Sequence, residues 1–186
     1  MKTNRFEPIV NFSLRKEIFF VALGSMVGAF TMHTPRMFMD LFGDSSYQIM
    51  LLVAAKVVNS SQPEIGLVLH FFVATAIGIV TGIFLHKILR FNISKIPKGL
   101  TYGIISGIVV FVVFAIPVSQ IFLGPNTVVI ISEINPDMTV IQATQEVENS
   151  FVSQMLNSLF MHIIWGITLG GVSSLLTRKM GANYRC

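Results

Sequence analysis

Cysteine is nearly absent from this chain. The single thiol, Cys186, has no partner for a disulfide within the sequence and cannot build the paired-cysteine spacing of a zinc site. Charge is scarce as well: Lys, Arg, Asp and Glu make up 12% of the 186 residues against 53% apolar residues, and the mean hydropathy is +0.72. A soluble domain carries roughly twice that charge on its wetted surface, so the composition points to a membrane protein. The net charge of +4 does not imply nucleic acid. Its basic residues sit in short clusters beside hydrophobic runs, with no aromatic interleaving, which suits lipid headgroups better. Also missing are a Walker loop, HExxH, GxSxG and a dinucleotide fingerprint, so no enzymatic activity is expected.

What the chain does have is a repeat. Gln154, Ser158, His162, Gly166, Gly170, Ser174 and Arg178 stand four residues apart, and 92 positions upstream stand Gln62, Gly66, His70, Ala74, Gly78, Gly82 and His86. A four-residue step is close to one helical turn, so each ladder occupies one gently winding helix face. Small residues on such a face let helices approach closely in a bilayer, where no hydrophobic drive separates protein from lipid. Gly24 and Gly28, and Gly99, Gly103 and Gly107, show the same step in two further apolar runs.

The expected architecture is all-α and polytopic, a single membrane domain with four transmembrane helices at about 13–33, 63–89, 99–123 and 151–176. A basic start followed by an apolar run could also be a signal peptide, but no small-x-small cleavage site closes the run and its GxxxG face suits a retained helix. Outer loops are expected at 34–62 and 124–150, each with a short interfacial helix: Tyr47 to Val58, too short to span, and Met138 to Asn149, capped by Asp137. Pro117 should kink the third span. Eleven of the 13 Lys and Arg fall in the two tails and the link between the second and third spans, leaving only Arg36 and Lys56 on the other side. The positive-inside rule then puts both termini in the cytoplasm of a multi-pass cell-membrane protein. Because the two ladder-bearing spans run the same way, the two hairpins read as a parallel repeat.

From His70 onward the order of features resembles the YagU-like family of uncharacterised inner-membrane proteins. The residues that carry the likeness are the His-bearing helix, the basic link and the Lys98-Gly99-Leu100 entry. Pro117, the Gly124-Pro125 exit and Phe160-Met161-His162-Ile163-Ile164-Trp165 follow. The resemblance implies a small four-helix membrane protein and brings no catalytic residues.

Two constellations could carry chemistry. His70 and His162 are ionisable groups inside spans, which deserve a functional hypothesis by default; each lies about 17 residues, or ~25 Å of helix rise, from the basic boundary, near the outer edge of a ~30 Å core. They could hold a proton or a metal ion between them. Met32, His33, Met37 and Met39, with Met161 beside His162, offer thioethers and imidazole, the donor set that suits Cu(I). The favoured expectation is a non-enzymatic structural or accessory subunit of a membrane assembly, without a cofactor. Its partners would be the lipid bilayer and copies of itself or other membrane subunits. The alternatives are a small proton or ion transporter or channel using His70 and His162, and a copper-linked subunit of a membrane oxidase.

Overall fold

A computed structural model describes residues 14–42, 46–88 and 95–182. The basic tail before residue 14, residues 43–45, the core of the basic link at 89–94 and residues 183–186, Cys186 among them, lie outside the described residues. Those described are almost entirely helical, with no strand among them. Helix α1 runs Leu14–Asp40 and α2 runs Ser46–Ala55, continued by a 3-10 turn Lys56–Val58. Helix α3 is Pro63–Ile88. A rod of unbroken helical residues, Ile96–Ile134, is α4, and α5 is the 43-residue Val140–Ala182. Four of these, α1, α3, α4 and α5, are long and apolar enough to cross a membrane.

The chain is all-α as expected, but its helices overrun the expected boundaries. Helix α1 does not stop at His33 and passes through Pro35 to Asp40. Proline removes a backbone donor there, and the threonine hydroxyls on this stretch bond back to the turn before: Thr34 Oγ1 donates to the Phe30 carbonyl at 2.9 Å and Thr31 Oγ1 to that of Val27 at 2.7 Å. The segment 124–150 is not one long loop either. Helix continues to Ile134, and α5 starts at Val140 without a break at the polar residues near 150. The cap of α5 is Thr139 rather than Asp137: Thr139 Oγ1 accepts from the Gln142 backbone N–H at 3.3 Å while Gln142 Oε1 accepts from the Thr139 N–H at 2.8 Å, a reciprocal capping box.

Around Pro117 the α-helical register slips into two π-helical stretches, Phe111–Ala115 and Ser119–Leu123. The Ile116 N–H donates to the Phe111 carbonyl and the Gly124 N–H to that of Ser119. A wider turn on either side of proline lets the rod continue where a strict α register would lose a bond and meet a clash.

Helix α5 is the central member, packed along both α1 and α4, while α3 lies against α1 and α2. The small-residue edges make these contacts. A Cβ on Gly99, Gly103 or Gly107 would strike Gly170, Gly166 or the His162 backbone, and a Cβ on Gly24 or Gly28 would sit 2.8 or 2.7 Å from the carbonyl of Leu169 or Trp165. Gly66 lies on the α2 backbone at Leu51, Gly78 against Ser25 and Gly82 against Val21. Ala74 offers its carbonyl to Ser25 Oγ at 2.7 Å, and Ser174 is fully buried opposite Gly99. The small-residue rungs of both ladders therefore face protein, while Gln62, Gln154 and Arg178 at the ladder ends are exposed. The common core gathers Val21, Ala29, Met32, Val110, Met161, Trp165 and Leu169.

Helices α3 and α4 are the pair that hardly meet. A Cβ on Gly82 would lie 2.9 Å from the Tyr102 hydroxyl, so the two helices touch near one end. Toward the other end a cavity opens between them.

Candidate functional site

Three of the described helices bring a histidine to the same level of the bundle. His33 is carried by α1, His70 by α3 and His162 by α5. His33, expected at the outer end of the first span, is 1% exposed. Its ring stacks on Phe71 at 5.3 Å between centroids and meets His70 edge-on at 4.6 Å and Tyr47 at 5.7 Å. Among the described residues, neither ring nitrogen of His33 has a hydrogen-bond partner, nor does the buried Tyr47 hydroxyl beside it. Burial pushes that hydroxyl's pKa above the ordinary tyrosine value, with Asp40 adding to the rise and Arg36 opposing it.

His70 and His162 line one cavity of about 70 Å³, walled otherwise by Met32, Val73, Ala74, Ile77, Val110, Phe114 and Trp165. That volume admits a few waters or one small ligand group. Two side chains are fixed by the backbone around them. Trp165 Nε1 donates to the Ser25 carbonyl at 3.2 Å, tying α5 to α1 behind the cavity. His162 Nδ1 lies 2.7 Å from the Ser158 carbonyl oxygen, one turn back. A carbonyl only accepts, so Nδ1 carries the hydrogen and Nε2 keeps its lone pair. Phe114 belongs to the first π-helical stretch, so the register slip shapes one cavity wall.

The structure brings together only part of the sequence-derived copper cluster. Met32 is 7% exposed and reaches the cavity, whereas Met37 and Met39 are 47% and 56% exposed on the outside of α1. Arg36 turns its Nη1 to Met50 Sδ at 2.7 Å. Among the described residues no three His, Cys, Asp or Glu side chains gather in metal-binding fashion. Sequence reasoning missed Trp165, Ser25 and Tyr47 as parts of the site. A signal existed for the first, since Trp165 follows His162 by three residues and shares its face. Met32 likewise extends the Gly24, Gly28 ladder by one more turn.

No family model, curated protein or solved structure matches this chain.

Proposed function

We propose that the protein is a non-enzymatic subunit of a membrane assembly, embedded in the cell membrane as two repeat-related hairpins with both termini cytoplasmic and α2 near the outer boundary. The observation that carries this reading is the parting of α3 from α4. One long helix leaves most of its surface bare, with Val68, Phe72 and Val80 each about 70% exposed, while its small-residue edge is already used against α1 and α2. A helix held on one side only is well suited to receive a neighbour on the other. The lopsided distribution of Lys and Arg supports the orientation, and the likeness to YagU-like proteins supports a small four-helix membrane unit. Purification under native conditions, with photo-crosslinkers at Phe72 and Val80, should yield covalent adducts to a second polypeptide chain. A lone monomer with lipid adducts only would overturn the reading.

A second reading, a small proton or ion transporter, is favoured by one observation: His70 and His162 line the same cavity. Below that level the seams are closely packed around glycine, with isolated Ser and Thr hydroxyls and no buried carboxylate among the described residues, which offers little to a hydrated ion. Flux in proteoliposomes that falls when both histidines become Gln would establish it; absence of flux would dismiss it.

A further inference from the structure

We propose that the cavity between α3, α4 and α5 is a Cu(I) site whose donors are His162 Nε2, the His70 imidazole and the Met32 thioether. Three observations converge on it. The first is the cavity itself, which collects two imidazoles and one thioether from three different helices among otherwise apolar walls. The second is the Ser158 carbonyl holding His162 Nδ1 at 2.7 Å. That bond fixes ring and tautomer and leaves Nε2 as a lone-pair donor, the arrangement typical of a histidine that binds a metal. The third is the register slip, which places Phe114 and so a hydrophobic wall beside the donors.

The donor set selects the ion. Imidazole and thioether are borderline and soft ligands, and none of the cavity residues is a carboxylate or thiolate, which argues against Mg, Ca and a structural zinc. All three donors are neutral, so the ion's full charge remains in an apolar site, where a monovalent ion is far less costly than a divalent one. The cavity lining also selects the histidine pair. His70 and His162 line it, whereas His33 is not among its lining residues and packs edge-on against His70 at 4.6 Å between ring centroids. His162 therefore supplies the second nitrogen.

The assignment does not depend on the accessory-subunit reading, because it is tested on the isolated chain. The full-length protein, purified in detergent, is loaded anaerobically with Cu(I), desalted and assayed for copper, with affinity measured by competition against a Cu(I) chelator. About one copper per chain is expected, with nitrogen and sulfur in its X-ray absorption shell. His70→Gln and His162→Gln should each weaken binding by at least roughly tenfold, and the shape-conserving Met32→Leu should lower affinity and remove the sulfur signal, while Met37→Leu changes nothing. Less than about a tenth of an equivalent in the wild type, a sulfur signal that survives Met32→Leu, or equal loss on Met37→Leu would overturn the site. Met32→Leu keeps volume and polarity close to wild type, so its result is readable even where a histidine variant fails to assemble.

Discussion

The two histidine-bearing helices, α3 and α5, carry the same ladder but close their seams differently. Along α5 the rungs meet backbone: Gly166 faces the carbonyl of Gly103, and Gly170 that of Gly99. Along the part of α3 that meets α1, Gly78 faces the side chain of Ser25 and Gly82 that of Val21, although Gly66 at the other end lies on the α2 backbone at Leu51. Backbone cannot rotate away from an added atom, whereas a side chain has other rotamers. The first seam therefore tolerates nothing larger than hydrogen, and the second has some give. It follows that the α4–α5 seam is limited by backbone along its length, while the α1–α3 seam is limited by side chains at Ser25 and Val21.

That contrast can be broken by substitution. The largest effect is expected for Gly103→Leu, which would force α4 off α5: a loss of about 3 kcal/mol in a reversible unfolding titration in mixed micelles. A loss below ~1 kcal/mol would mean the seam is not backbone-limited. Gly78→Ala should cost about 1–2 kcal/mol, and that cost should shrink in a Ser25→Gly background, where the opposing side chain is gone. Identical costs in both backgrounds would erase the distinction between the seams. Ser25→Ala removes the bond to the Ala74 carbonyl and should destabilise by about 0.6 kcal/mol, the average for hydrogen bonds between membrane helices. Least of all is Gly171→Ala: the nearest atom to an added Cβ is Leu100 Cδ2 at 3.5 Å, ordinary contact, so stability should rise by about 0.5 kcal/mol from the helical preference alone. A measurable loss there would show that α5 is confined on a third side.

How far the residues alone could be read depends on what kind of signal each feature leaves. The four-residue steps of small residues were read directly, because close approach demands them and nothing else explains them so economically; every glycine of that pattern faces protein. Helix ends were not. Pro35 and the polar stretch Glu146 to Ser150 look like breaks, yet helix runs through both. The joint placement of Met32, His70 and His162 was only half visible. The histidines share a register, but which methionine joins them depends on the rotation of α1, which a sequence of mostly apolar residues leaves open. Nor could spacing foretell that α3 would part from α4, since both are strongly apolar, with mean hydropathy of 2.2 and 2.4.

The unbroken length of α5 has a mechanical corollary. Forty-three residues make a post of about 64 Å, twice the depth of the hydrocarbon layer. Its polar head, from Val140 to Ser150, is one rigid piece with the buried half that holds His162. Any tilt imposed where a neighbour grips the head is delivered, without a hinge to absorb it, to the ring beside the cavity.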